Sequence, residues 1–203
     1  GRMANSLLVI SLMESEASSE ALAAAKVFAE TNPDDVEAQN LLALTYLTQG
    51  DSASAKATLE RALSMDAGNR AAARTLASLA MRSGDTASAR SVLDTALDVN
   101  PDDLQLLILR ADIARRDQDA ETVERYLQHA IETNPDALRP RILLAKTLLD
   151  AGELQAAFDV FVGVSLAESP SALALKAEAA SRLGRYGAAK SALERLASIA
   201  PND

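Results

Sequence analysis

The sequence predicts an all-α protein built as a solenoid of helical hairpins, and three observations lead to that class. Equivalent positions recur every 34 residues, and three of the four are proline: Pro33, Ala67, Pro101 and Pro135. We call this position the closing residue of each repeating segment. Within each period, alanines and leucines recur at fixed places. Aromatic residues make up only 3% of the chain, and runs of alternating β-branched residues are lacking. A period of this length indicates one supersecondary element that buries its apolar side only by stacking on its neighbours.

The period predicts about twelve helices, two in each of six segments: 2–35 (degenerate), 36–69, 70–103, 104–137, 138–169 and 170–203. In the second segment Gly50 ends the first helix in a left-handed conformation, and Asp51 caps the second helix. The fourth segment has Gln118 where glycine is expected. In the first segment only residues 4–13 form an apolar helical pattern before Glu20. We treat the whole chain, 1–203, as one array.

Two departures concern the end of the chain and its boundaries. Pro135 and Pro201 are 66 residues apart, two short of two periods, which predicts a tighter turn near Glu168, Ser169 and Pro170. The last helix, predicted over 188–200, lacks the polar outer side of a natural cap, and residues 1–3 resemble an expression remnant. We therefore expect a fragment of a longer array; the alternative is a short array with frayed ends.

The pattern resembles the tetratricopeptide repeat over nearly the whole chain. It has a small residue at the eighth place of each segment, glycine at the fifteenth, alanine at the twentieth and twenty-seventh, and proline at the thirty-second. The resemblance implies a right-handed α-solenoid of about six hairpins that binds a protein or peptide in a concave groove. More narrowly, residues 101–152 are similar to bacterial tetratricopeptide lipoproteins of exopolysaccharide biosynthesis and the PEP-CTERM/exosortase system, which implies a periplasmic or envelope location rather than a cytoplasmic one.

Composition argues against several classes of partner. A net charge of −9 and a pI near 4.7 disfavour nucleic acid and anionic membrane surfaces, because both are bound through lysine and arginine. The longest apolar stretch, residues 7–13, is far short of the ~20 residues that cross a bilayer, so we expect no membrane insertion of this segment. The absence of cysteine excludes disulfides and thiolate metal sites without fixing the compartment.

Few residues are suited to catalysis, and we predict no enzymatic activity, cofactor or metal. His129 is the only histidine, so no second imidazole completes a metal or acid–base site, and an ordinary surface role is the better interpretation. Acid pairs such as Asp102-Asp103 follow the closing proline, where they cap the next helix. Phosphate loops, GxSxG elbows and HExxH motifs do not occur.

The resemblance implies that five places on each first helix line the concave groove. It assigns the candidate partner-binding residues Asn40, Leu44, Arg74, Ser78, Met81, Arg82, Ile108, Asp112, Arg115, Arg116, Arg139, Ile142, Lys146 and Leu149. Six of them are cations on an acidic chain, beside apolar spots, which predicts a partner with acidic and apolar side chains. The alternative is that cations near helix C-termini only complement the macrodipole while the others are solvated surface.

The groove lacks the family's chaperone-tail clamp, since Asn40, Leu44, Arg74, Thr75 and Ser78 stand where its lysines and asparagines are required. We therefore predict a protein-interaction scaffold in a bacterial envelope, exopolysaccharide or secretion assembly. Two alternatives stay open. One is a structural spacer or self-association module that forms homo-oligomers through its end helices, and the other is a regulatory domain attached to an enzyme elsewhere in a longer chain.

Overall fold

The computed structural model describes residues 1–166 and 169–200 and confirms the all-α class. Twelve helices in that part of the chain form consecutive hairpins, and the described residues contain no strand. The chain divides into two compact units, Gly1–Pro101 and a second that begins at Asp102.

The first unit contains three hairpins, each made of a first and a second helix. Their bounds are α1 Arg2–Glu14, α2 Ser18–Thr31, α3 Val36–Thr48, α4 Ser52–Met65, α5 Arg70–Arg82 and α6 Thr86–Val99. The first helix therefore begins two residues earlier than the apolar pattern predicts. The predicted first and second helices of the other two hairpins form as expected.

The second unit contains the other six helices in the same order. Their bounds are α7 Leu104–Arg116, α8 Ala120–Thr133, α9 Leu138–Ala151, α10 Leu154–Asp159, α11 Pro170–Arg182 and α12 Tyr186–Ile199. Five of them are 13 or 14 residues long, whereas α10 has only 6.

Each first helix ends in the same hydrogen-bonded turn. After α3, the Asp51 N–H donates to the Tyr46 carbonyl at 2.9 Å and the Gly50 N–H donates to the Leu47 carbonyl at 3.0 Å, the two bonds of a Schellman motif. Gly50 has a φ of +77°, which confirms the predicted left-handed glycine. Gln118 adopts the same conformation with a φ of +59°, although a side chain is disfavoured there.

The aspartates after these turns cap the second helices as predicted. The Asp51, Asp85 and Asp119 carboxylates accept from the backbone N–H three residues later at 3.0, 3.0 and 3.1 Å. Hydrogen bonding to the capped residue, by its side chain first and its backbone second, lowers the pKa of each of the three carboxyls. The hydrogen bonds of the caps therefore favour the charged carboxylate form of each aspartate.

The alanines at the twentieth place are fully buried, as their role at a close helix contact requires. Ala55, Ala89 and Ala157 each have 0% exposure. In the first unit, Ala43, Leu59, Ala62, Ala72 and Leu76 form one continuous cluster that joins consecutive hairpins. Small side chains at these positions let helices approach closely enough to exclude water.

The fifth hairpin differs from the predicted pattern, because its second helix ends at Asp159. The chain then turns through residues 160–163, where Gly163 has a φ of +78°. Phe161 and Leu166 nevertheless stay buried at 1% and 8% exposure and join the core beneath α11. The second helix of this hairpin is therefore much shorter than the other second helices, although Phe161 beyond it keeps a core position.

The predicted tighter turn near Glu168 lies outside the described residues. Beyond that gap, Ser169 caps α11 by accepting from the Ala172 N–H at 3.3 Å, and Pro170 occupies the first helical position. The last helix begins at Tyr186 rather than Ala188, since Gly184 already reverses the chain.

Candidate functional site

The candidate partner-binding residues lie on one side of the first helices. Each compact unit has one such surface, and we call the two surfaces the first-helix faces. One belongs to α3 and α5 of the first unit, the other to α7 and α9 of the second. On α5, a rotation of about 100° per residue places Arg74, Ser78 and Met81 within one stripe. Helical periodicity thus brings the predicted residues of each helix together.

In the first unit, the first-helix face is a mixture of cationic and apolar surface. Arg74 and Arg82 are exposed and form no ion pair with any described residue. Leu44 is 41% exposed, while Ser78 and Met81 are half-buried. Two guanidinium groups are therefore free to meet carboxylates next to accessible apolar atoms.

Asn40 serves the fold as well as the first-helix face. Its side-chain amide donates to Asn69 Oδ1 at 2.9 Å, and the same oxygen caps α5 by accepting from the Ala72 N–H at 2.9 Å. The half-buried Asn40 thereby ties α3 to the start of α5. Its role in stacking two hairpins was not apparent from the sequence.

In the second unit, three cations of the first-helix face are exposed: Arg116, Arg139 and Lys146. None of them forms an ion pair with the part of the chain that the structure describes. Arg115 instead bonds Asp112 on the preceding turn, with 3.2 Å between guanidinium nitrogen and carboxylate oxygen. The two form a surface pair, which neutralises part of the positive charge.

Two predicted apolar spots are not accessible, and this corrects the sequence prediction. Ile108 is 2% exposed and Leu149 is 4% exposed. Leu149 belongs to the core cluster of the second unit that also contains Leu127, Leu144 and Leu148, and it lies at the edge of its helix stripe. Only Ile142, which is half-buried, leaves apolar surface on this face.

The position of the arginines also agrees with the macrodipole interpretation. Arg82, Arg115 and Arg116 lie in the last turns of α5 and α7, where a cation contributes ~0.3–1 kcal/mol. Arg182 acts in this way directly, because it donates to the Leu149 carbonyl at the end of α9 at 3.2 Å. Arg74 and Lys146 lie away from helix ends, and Arg139 lies in the first turn of α9, where the macrodipole disfavours a cation. The macrodipole therefore does not explain these three residues.

Sequence reasoning missed a buried cation in the second unit. Arg110 is 7% exposed, and its guanidinium lies 5.0 Å from the centre of the Tyr126 ring, as does that of Arg125. Stacking of this kind lets an arginine enter an otherwise apolar layer. The sequence contains a sign of this buried cation, because Arg110 occupies the seventh place of its segment, where other segments have Leu42, Leu76 and Leu144.

Each unit also carries a cleft on its other side, between consecutive second helices. The α4–α6 cleft, about 440 Å³, has α5 as its floor, and the α8–α10 cleft, about 450 Å³, has α9 as its floor. Both are lined by residues at the same places of the repeat. Neither cleft was predicted, because the places that the resemblance assigns to binding lie on the other side of the first helices.

His129, the only histidine of the chain, lies beside Asp102. Its Nε2 lies 2.9 Å from an oxygen of Asp102, a contact between exposed groups at the edge of a hairpin. The described residues contain no group of three or more metal-ligating side chains that could hold an ion. None of the described helices has the length and apolar character needed to cross a membrane.

Comparison with protein-family models matches the chain in three places. Models described as tetratricopeptide repeat match residues 7–73, 46–113 and 170–203. No curated protein matches the chain.

Several solved structures share the fold at low sequence identity. The structure titled as a functional characterization of Pseudomonas aeruginosa pilF has a TM-score of 0.72 at 16% identity and covers 100% of this chain and 93% of its own. PilW, described as a widely conserved type IV pilus biogenesis factor, gives 0.69 at 20% identity, with 100% and 94% covered. YrrB, described as a TPR protein with an unusual peptide-binding site, gives 0.65 at 18% identity, with 88% and 93% covered.

Proposed function

The chain carries tetratricopeptide repeats, and from that premise we propose that it is a scaffold whose first-helix faces bind a peptide or protein partner rich in acidic side chains. Proteins of this repeat generally mediate protein–protein interaction. One observation carries the proposal: five first-helix cations, Arg74, Arg82, Arg116, Arg139 and Lys146, are exposed without an ion-pair partner among the described residues, on a chain of net charge −9.

The chemistry of these residues favours carboxylates as the partner's groups. An arginine fork binds a carboxylate through two parallel hydrogen bonds, which fixes its orientation as well as attracting it. Because the protein as a whole is acidic, an acidic partner is repelled elsewhere and directed to these faces. Leu44, Met81 and Ile142 supply apolar contacts beside the cations.

The assembly that we propose is a bacterial envelope, exopolysaccharide or secretion machine, with a periplasmic or envelope location. The resemblance of residues 101–152 to envelope lipoproteins supports this setting. Two of the structural neighbours are titled for pilF and for a type IV pilus biogenesis factor, which agrees with such a role at the level of the fold.

A charge-reversal series tests the second unit's face. The probe is the acidic and apolar peptide acetyl-(Asp-Leu)4-amide, and its binding is followed by fluorescence anisotropy of a labelled form. We expect Arg139→Glu with Lys146→Glu to weaken binding about tenfold or more, equivalent to ~1.4 kcal/mol, because two attractions become repulsions. Lys190→Glu is the matched control, since its side chain is 77% exposed on α12 and off this face.

The series also has a salt arm. Binding to the first-helix face should weaken from 50 to 300 mM NaCl in the unchanged protein and much less in the double variant, because surface charges are screened. Equal affinities of the double variant and Lys190→Glu would show that the face does not bind the peptide.

A structural spacer or self-association module is the second candidate function, and exposed apolar side chains on end helices favour it. Met3, Leu7 and Leu8 on α1 are 78%, 59% and 52% exposed, and Leu193 on α12 is 51% exposed. Patches of this kind mark contact surfaces. Sedimentation velocity of the Leu7→Ser/Leu8→Ser variant separates the two functions, because loss of oligomers with peptide binding intact places self-association on α1.

A further inference from the structure

We propose that the α4–α6 cleft of the first unit is a second binding site, which receives the side chain of a tyrosine from a partner protein. The site is separate from the first-helix face. On α5, the stripe Leu76, Leu79 and Ala80 that forms the cleft floor lies about 170° around the helix axis from the stripe of Arg74, Ser78 and Met81. One helix therefore presents a different surface to each site.

The cleft has an apolar interior of a size suited to one large side chain and its flanking backbone. Leu63 of α4 and Val92 of α6 form its walls above Leu76 and Leu79, around a volume of about 440 Å³. Leu76 belongs to the core of the first unit, and Leu63 and Val92 pack against that core, so the fold holds the walls in place. A preformed apolar slot of this kind favours an aromatic group, because ordering it has a low entropic cost.

The repeat itself indicates which side chain fits. Ala80 occupies the eleventh place of its segment, where the preceding segment has Tyr46. The half-buried Tyr46 ring lies against the previous second helix, 5.7 Å from Lys26 Nζ, and Lys26 stands at the place that Glu60 has in the cleft wall. In the preceding hairpin a phenol from the chain itself thus lies where the α4–α6 cleft has only an alanine methyl.

The rim supplies acceptors for a phenolic hydroxyl. Ser64, Ser83 and Thr95 line the cleft and donate their hydroxyl hydrogens to carbonyls of their own helices at 2.7, 2.9 and 3.0 Å. Their oxygens are left to accept a hydrogen bond. Tyrosine satisfies such a rim, whereas phenylalanine does not.

The charged groups at the rim argue against an ionic ligand. Lys56 Nζ lies 3.8 Å from Glu60, and the Asp85 carboxylate accepts from the Ser88 N–H at 3.0 Å. The two acids and one lysine are thereby engaged with groups of the protein. A neutral aromatic side chain with one hydroxyl is the occupant that this lining fits best.

The α8–α10 cleft, at the same places of the repeat, provides an internal contrast. Leu148 occupies the place of Ala80, and the lining carries Glu124, Glu132, Glu153 and Arg141. Burial, followed by the charges of Glu153 and Glu121, raises the pKa of Glu124. The α8–α10 cleft has a similar volume, but more charged side chains line it and a leucine replaces Ala80, so the tyrosine site is assigned to the α4–α6 cleft.

The first test uses 4-methylphenol, the side chain of tyrosine, as a probe. Carbon-13 methyl spectra should show saturable shifts at Leu63, Leu76, Leu79 and Val92, and toluene should bind at least threefold more weakly. Ala80→Tyr, which reproduces the arrangement of Tyr46, should abolish the shifts. Ala87→Tyr is the matched control, because Ala87 is exposed on α6 outside the cleft and should leave the affinity unchanged.

Three results would overturn the site: no shifts in the unchanged protein, equal binding to Ala80→Tyr and Ala87→Tyr, or toluene binding as tightly as 4-methylphenol. Far-UV circular dichroism checks that each variant is folded. Ala80→Met, a smaller filling of the same slot, should reduce the affinity at least threefold and provides the test if Ala80→Tyr does not fold.

The second test identifies the source of the tyrosine. The peptide acetyl-Ala-Tyr-Ala-amide should produce the same shifts, and its phenylalanine counterpart should bind more weakly. A second copy of the chain is the competing occupant, because Tyr186 is 73% exposed. Sedimentation equilibrium of the unchanged protein, Tyr186→Ala and Ala80→Tyr distinguishes the two sources. A dimer in the unchanged protein that is lost in both variants would overturn the proposal of a separate partner protein. A monomer in all three samples would support that proposal.

Discussion

The left-handed turn at Gln118 is the best place to test the physical account of the hairpins. Gln118 has a φ of +59°, whereas the equivalent Gly84 has a φ of +83°. A side chain in this conformation costs about 1–2 kcal/mol. The Gln118→Gly variant keeps both turn bonds, from Asp119 N–H to Ala114 at 3.0 Å and from Gln118 N–H to Arg115 at 3.2 Å, so the relief of strain is isolated.

The net effect is smaller than the strain, because glycine also gives the unfolded chain more freedom. That freedom reduces folded stability by about 0.4–1 kcal/mol, and we expect Gln118→Gly to stabilise the protein by about 0.5–1 kcal/mol. The reciprocal change, Gly84→Ala, should destabilise by a similar amount. A Cβ at Gly84 would meet no atom within 4 Å, so conformation and not collision determines that loss.

Urea unfolding followed by circular dichroism at 222 nm measures both changes, with Gln118→Ala as the control that keeps a side chain at the positive φ. For a chain of this size 1 kcal/mol corresponds to a shift of ~2–4 °C in the thermal midpoint. Destabilisation by Gln118→Gly, or a neutral Gly84→Ala, would refute the reasoning.

Three further predictions concern the core and the caps. Ala89→Arg should unfold its hairpin, with a loss of ~3 kcal/mol or more, because the site is 0% exposed; a retained helical spectrum with an unchanged midpoint would contradict this. Phe161→Ala should lower the free energy of unfolding by ~3–5 kcal/mol although the residue lies outside a helix, and a loss below 1 kcal/mol in urea would show that the segment does not belong to the core. Since the folded pKa of Asp85 is lowered, the stability that its charged cap contributes is present above the unfolded pKa and lost as pH falls through the folded pKa; Asp85→Ala should therefore be more destabilising at pH 6 than at pH 2, and an equal difference at both pH values would rule out the charged cap.

The sequence predicted the hairpins well because each signal in the repeat has a local physical cause. Glycine at Gly50 and Gly84 fixes the reversal, the aspartates after them cap the next helix, and alanines such as Ala55 mark close contacts. These effects act within a few residues, so the sequence predicts them without knowledge of the tertiary structure. Gln118 adopts the glycine conformation because the surrounding turn bonds impose it.

The features that the sequence did not reveal depend on packing between helices. The sequence between Pro135 and Pro201 does not show that the second helix of the fifth hairpin ends at Asp159 while Phe161 beyond it stays buried. Ile108 and Leu149 occupy places assigned to the groove, yet both side chains are buried, which depends on the neighbouring helices and not on the repeat pattern. The α4–α6 cleft lies between two second helices, and the repeat pattern gives no direct sign of a space that only the packing of these helices creates.

The central claim, that the first-helix faces bind an acidic partner, is tested most directly by mapping the acetyl-(Asp-Leu)4-amide peptide on the protein by amide chemical-shift perturbation. The account predicts saturable shifts clustered on α7 and α9 around Arg116, Arg139 and Lys146, and on α5 around Arg74, with the second helices unaffected. Shifts confined to the second helices, or none at millimolar peptide in low salt, would contradict it.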